Sequence, residues 1–127
     1  MEDRYLFRGK RTGDGKWVIW DAITGIPHDL YIQTKTICQC TGLRDKNGKL
    51  IWEYDIVCHS YCKWNETIRK TVKKNYMIKW DNTMAHCGYR YRNGRNIFPF
   101  KARTSLNGND EVIGNVFDDP ELLEVQE

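Results

Sequence analysis

In several stretches of the chain apolar and polar positions alternate with a period of two, and that period predicts β-strands. In VKKNYMIKW, Tyr76, Ile78 and Trp80 fall on one face. In TICQC, Ile37 and Gln39 point one way while Thr36, Cys38 and Cys40 point the other. YLFRG and KWVIW flank KRTGDG, whose Asp14-Gly15 is a hairpin-turn signal, and DLYIQ is a short apolar run. RDKNGK supplies Asn47-Gly48, the strongest short hairpin signal, because both residue types tolerate positive φ. The chain then returns through LIWEYDIVCH. CGYRYRNGR ends in a second Asn-Gly turn at Asn93-Gly94, and EVIGNVF is a further strand candidate.

Helix signals are few. In DDPELLEV, Asp119 can cap, Pro120 suits the first helical position and Glu121 suits the positive helix end, which predicts one or two turns. ETIRKTVKKN fits an amphipathic helix, with Ile68 and Val72 four apart, or a strand or loop, towards which its β-branched content leans. There is no repeat, low-complexity stretch or Ser/Pro linker. The turns are spaced as in a small barrel or sandwich, and the expectation taken forward is a single all-β domain over residues 1–127, a small SH3-like barrel with additional strands or hairpins and a short C-terminal helix. The hairpin at Asn47 and Gly48 organises it, Trp52, Ile56 and Val57 supply core contacts, and Glu53 and Asp55 tie down a strand entry by accepting backbone N–H groups.

Composition supports a packed domain. The five Trp, seven Tyr and four Phe in 127 residues suffice for a compact interior, and a chain of this size buries roughly two-thirds of its unfolded surface. No apolar run approaches the ~20 residues of a membrane span, and the opening MEDRYLFRGK lacks the long apolar segment of a secretory signal. A soluble, cytoplasmic protein without membrane association is expected. Five cysteines, an odd number, then read as free thiols.

Charge changes the picture more. The net charge of +3 conceals a middle, residues 63–109, with eleven bases against two acids, and an end, residues 110–127, with seven acids and no base. Either the acidic end folds back on the basic surface, or that surface serves an anionic partner. Between residues 63 and 103, bases interleave with aromatics: Lys63-Trp64, Lys79-Trp80 and YRYRNGR. Lys79, Arg90, Arg92, Arg95, Lys101 and Arg103 are the candidate phosphate contacts, with stacking from aromatic rings. Alternation works against YRYR as a complete site, because Tyr89 and Tyr91 share one face while Arg90 and Arg92 share the other. Stacking residues from adjacent loops, such as Phe98 and Phe100 around Pro99, are then needed.

No catalytic constellation emerges. Cys38, Cys40, Cys58, Cys62 and Cys87 with His59 and His86 loosely form clusters, but none has the usual zinc-knuckle spacing, and Cys is also a small apolar filler. Neither His28, His59 nor His86 is placed by sequence against a particular thiol. Glu53 and Asp55 would share a strand face, where acid/base work is the alternative to backbone hydrogen bonding. No Walker loop, dinucleotide fingerprint or nucleophile elbow is present. The expectation is therefore no enzyme, no metal and no cofactor.

GLRDKNGKLIWEYDIV together with EVIGNVFDDPELL resembles the YopX family of bacteriophage and prophage proteins. That family's run is Gly-Leu-Lys-Asp-Lys-Asn-Gly, then an aromatic and Glu-Gly-Asp-Ile-Val, and near the end Gly-Asn-Ile/Val followed by Pro-Glu-Leu-Leu. The opening YLFRGKR also fits. Tyr54 stands where the family usually has Gly, and Cys38 and Cys40 stand where Gly and Tyr are common. The resemblance implies an all-β, barrel-containing fold and a phage or prophage setting in a bacterial host cell, and it carries no activity. The leading expectation is a non-enzymatic accessory protein that binds a protein partner or its own copies. The alternative is a nucleic-acid-binding module using segment 63–103.

Overall fold

A computed structural model of the chain describes residues 3–81, 88–93, 96–99 and 110–123. Among the described residues the strand signals become nine strands: β1 (Leu6–Lys10), β2 (Trp17–Asp21), β3 (Cys38–Arg44), β4 (Leu50–Trp52), β5 (Asp55–Asn65), β6 (Ile68–Asp81), β7 (Gly88–Asn93), β8 (Asn96–Pro99) and β9 (Asp110–Asn115). They form two antiparallel sheets, ordered β2-β1-β3-β4 and β8-β7-β6-β5-β9. The open question over ETIRKTVKKN resolves as strand, since residues 68–75 belong to β6.

The expected barrel is not found: among the described residues the two sheets remain separate ladders. They are joined by single hydrogen bonds, Lys46 N–H to the Asp110 carbonyl (2.9 Å), Tyr54 N–H to the Ile78 carbonyl (2.6 Å) and Val116 N–H to the Tyr54 carbonyl (3.0 Å). Ile51 from one sheet meets Val57, Tyr76 and Ile78 from the other in the buried core, with Val112 against them. Trp52 and Ile56 are buried as well. Of the face predicted for β6, Tyr76 and Ile78 are buried, whereas Trp80, near the strand end, is 46% exposed. Away from that core, Gly9 lets Ile32 pack closely on β1, because a Cβ there would lie 2.6 Å from Ile32 Cγ2.

The expected C-terminal helix is a single 3-10 turn, Pro120–Leu123. Asp119 does not serve it as a side-chain cap. Its Oδ2 accepts from Asn115 N–H (3.3 Å) instead, so the carboxylate closes the turn after β9.

The hairpin between β3 and β4 has a different geometry from the two-residue turn that Asn-Gly suggests. Only Gly48 takes positive φ, at 82°, and Asn47 does not. Gly48 N–H reaches the Asp45 carbonyl (3.0 Å) and Asp45 N–H reaches the Lys49 carbonyl (2.8 Å). That is a three-residue loop closed by a left-handed glycine. Asp45, 3% exposed, holds it from inside. Its Oδ1 accepts from Asn47 N–H and Lys49 N–H, both at 2.9 Å, and its Oδ2 accepts from Val112 N–H, also at 2.9 Å.

Tyr54 is the second backbone exception. It lies in the turn between β4 and β5 at φ 68°, a conformation natural to the Gly that usually stands there in the resembled family. An L-residue in the left-handed region costs roughly 1–2 kcal/mol. The ring is retained against Phe117, edge-on at 5.6 Å between centroids, a contact worth about 0.5–1.5 kcal/mol. Tyr54→Gly exchanges one term for the other and is expected to leave stability within about 1 kcal/mol of the wild type. Tyr54→Ala loses the ring and keeps the strain. Urea titration should therefore place the Gly variant above the Ala variant, the reverse of the usual order.

Candidate nucleic-acid interface

Strands β5 and β6 are the longest of the structure, at 11 and 14 residues, and they outrun their neighbours. On β5, pairing with β9 stops at His59; on β6, pairing with β7 begins only at Met77. Residues 60–65 and 68–75 therefore form a two-stranded ribbon with no described strand along either edge. The ribbon closes through the two-residue turn Glu66-Thr67, with Glu66 at φ 58°. Positive φ at the first turn residue is the type II′ pattern, whose right-handed twist matches paired strands.

Register fixes which residues share a face, since directly opposed residues in an antiparallel pair lie on the same side. Trp64 opposes Arg69, Cys62 opposes Thr71 and Ser60 opposes Lys73. The other side carries Ile68, Lys70, Val72 and Lys74, and runs on into the core at the Val57–Tyr76 pair. Over residues 60–75 the sequence has five bases, Lys63, Arg69, Lys70, Lys73 and Lys74, against one acid, Glu66. Near the tip, Trp64 is 66% and Ile68 69% exposed.

The described acids of residues 110–123 bond away from the ribbon's tip. Asp118 bonds Lys10, and it also accepts from Trp17 Nε1 (3.0 Å) and Asn115 Nδ2 (3.0 Å). Burial alone would raise the Asp118 carboxyl, but these donors outweigh it and hold it down at about 2. Glu111 pairs with Lys46 at 3.5 Å, and Asp110, fully buried, takes His59 Nδ1 at 2.5 Å. Among the described residues no acid forms an ion pair with Arg69, Lys70, Lys73 or Lys74. Asp118 and Glu111 thus anchor the turn after β9 and β9 itself to the first sheet, Asp110 ties β9 to β5, and among the described residues no ion pair compensates these ribbon bases.

The motif-bearing hairpin, its buried acids and the turn that carries β9 into Pro120–Leu123 lie within the span of a family model described as YopX protein, which matches residues 3–124. The chain belongs to the YopX family. No curated protein matches it.

In this YopX chain three of the contacts singled out from sequence, Lys79, Arg90 and Arg92, fall at neighbouring positions of one face in the β6–β7 register. Lys79 stands opposite Arg90 in the β6–β7 register and Arg92 opposite Met77. Tyr91 takes the position opposite buried Ile78 and, on its other edge, opposite Phe98. Arg95, Lys101, Arg103 and Phe100 lie outside the described residues, as do His86, Cys87 and Gly94. The ribbon bases Arg69, Lys70, Lys73 and Lys74 were not among the candidate contacts.

Glu53 and Asp55 do not share a regular strand face, because Glu53 and Tyr54 form a turn. Glu53 Oε2 approaches Trp80 N–H at 3.4 Å, and Asp55 Oδ2 accepts from Trp52 N–H at 2.8 Å. Asp55 Oδ1 pairs with Arg8 at 2.6 Å, and the Arg8 guanidinium lies over the rings of Trp17 (4.4 Å) and Trp52 (5.0 Å). Burial raises the Asp55 carboxyl to about 6 against the opposing pull of Arg8. Burial likewise raises the Cys38 thiol to about 12, so it stays protonated; its sulfur donates to the Thr36 carbonyl at 3.0 Å. Cys38, Cys40, Cys58 and Cys62 are free thiols. Among the described residues no group of three His, Cys, Asp or Glu side chains converges as a metal site, and no helix is long and apolar enough to cross a membrane.

Proposed function

We propose that this YopX protein is a non-enzymatic phage or prophage accessory protein of the bacterial cytoplasm, that it acts by binding, and that its binding element is the β5–β6 ribbon with nucleic acid as the partner. One observation carries the reading: a two-stranded ribbon extends past its described sheet neighbours with five bases against one acid, while Glu111 and Asp118 of the acidic end pair with Lys46 and Lys10 of the first sheet and its hairpin. Folding gains little from that arrangement, since clustered like charges repel. A polyphosphate gains much from it, because each base that meets a phosphate releases a counterion. Charge ranks nucleic acid above a protein partner or a second copy, although the ribbon's edges, along which no strand is described, could also accept a strand from another chain.

Fluorescence titration against single- and double-stranded oligonucleotides across a salt series tests the reading. Affinity should fall steeply with salt. The triple variant Arg69→Ser, Lys70→Ser, Lys73→Ser should weaken binding to every sequence and flatten the log–log salt slope by about 2–3. No binding at low salt, or a triple variant that binds like the wild type, overturns it. Self-association in sedimentation without nucleic-acid binding would transfer the ribbon to a second copy of the chain.

A further inference from the structure

The β5–β6 hairpin brings together what a single YRYR strand separates. On the face where Trp64 opposes Arg69, an aromatic ring and a cation stand side by side, and Lys73 follows on the same face opposite Ser60. From this we infer that the ribbon's Trp64 face binds unpaired nucleotides, with Trp64 stacking on a base and Arg69 and Lys73 meeting the phosphates. The inference rests on the nucleic-acid reading above and specifies its substrate class as single-stranded.

Trp64 is not an outlying piece of the core. On its face of β5 the nearest fully buried side chain is Ile56, eight residues or about 26 Å away along the strand. Between them stand Cys58, Ser60 and Cys62, across from Asn75, Lys73 and Thr71, which give the ring no large apolar neighbour. A tryptophan left 66% exposed there stabilises the fold little. A base offers it the flat apolar partner that the fold withholds, and every base has such a face, so the contact is sequence-tolerant. In a duplex the bases are already stacked on one another, so the ring has no equivalent partner.

Arg69 is held for the task. Its Nε and Nη2 donate to Cys62 Sγ at 3.2 and 3.0 Å. The sulfur therefore fixes one edge of the guanidinium on the Trp64 face, while Nη1 remains for a phosphate oxygen, whose planar recognition suits arginine.

The test is anisotropy titration of the full chain with a labelled oligothymidylate and with a duplex of equal length, for wild type, Trp64→Phe and Trp64→Ala. The exposed position lets both variants fold, which circular dichroism checks. The expected result is tighter binding of the single strand by wild type, a loss of about tenfold or more with Ala on the single strand alone, and retention of most affinity with Phe. The salt slope should be the same for all three. If Ala weakens single strand and duplex equally, or neither, or if wild type prefers the duplex, the stacking inference falls while salt-dependent binding keeps the ribbon reading. Absence of binding to both oligonucleotides at low salt overturns the two together.

Discussion

Asp45→Ala is expected to be the most damaging single substitution in the hairpin that joins β3 and β4, lowering stability by about 4 kcal/mol. The buried carboxylate satisfies three backbone N–H groups, those of Asn47, Lys49 and Val112. Hydrogen bonds to a charged acceptor are each worth about 1.5–3 kcal/mol net, and water entering the vacated site recovers only part. The Val112 bond matters most, because it ties the hairpin to β9 of the other sheet. The melting temperature should fall by about 10 °C or more. Asp45→Asn is the informative companion. Its amide keeps one acceptor and sets an N–H₂ against a backbone N–H, so it should be nearly as damaging despite its matching shape. An Asn variant close to wild type in thermal unfolding would show that the carboxylate is not the device that holds the turn.

Asp45 illustrates what the sequence makes legible. Asp at the first position of a turn that closes on Gly is a local signal, and RDKNGK carries it, but Asn47-Gly48 beside it is the stronger hairpin pair and masks it. The decisive partner, Val112, lies 67 residues away, and no local pattern announces it. Strand signals are legible because they are local: β3 and β6 contain stretches that alternate, and β1, β2 and β9 are short apolar stretches close to turn residues. Closure is not local, so the pattern could not say whether the sheets would meet as a barrel or by single bonds such as Tyr54 N–H to the Ile78 carbonyl. The ribbon was half legible. Its charge was visible, but Ile68 and Val72 fit a helix as well as a strand, and its turn, Glu66-Thr67, contains neither Gly nor Asn. The register that puts Trp64 beside Arg69 exists only once the hairpin forms.

Arg8→Met is expected to produce the second large effect, and one that changes with pH. Arg8 and Asp55 form a nearly buried pair at 2.6 Å, with side chains 13% and 3% exposed. Removing one member of such a pair costs about 3–5 kcal/mol, because the other charge is left without compensation. Methionine can fill the slot between Trp17 and Trp52, so the loss reports the stranded carboxylate more than lost packing. The sign of the pH effect follows from Asp55. Burial raises its folded-state value to about 6, whereas the unfolded chain titrates near about 3.9. Between those values the folded state holds more protons than the unfolded one, so this group's contribution falls as pH rises through the window. Without Arg8 the opposing pull disappears and the window extends upward. Chemical denaturation should therefore show a larger deficit for Arg8→Met at pH 7 than at pH 5, where the carboxyl carries a proton. Adding Asp55→Asn to Arg8→Met removes the charge and should recover part of the loss at pH 7 and flatten the pH dependence. Equal deficits at pH 5 and pH 7 would mean that Arg8 acts through its stacking on the two indoles and not through the carboxylate beneath them.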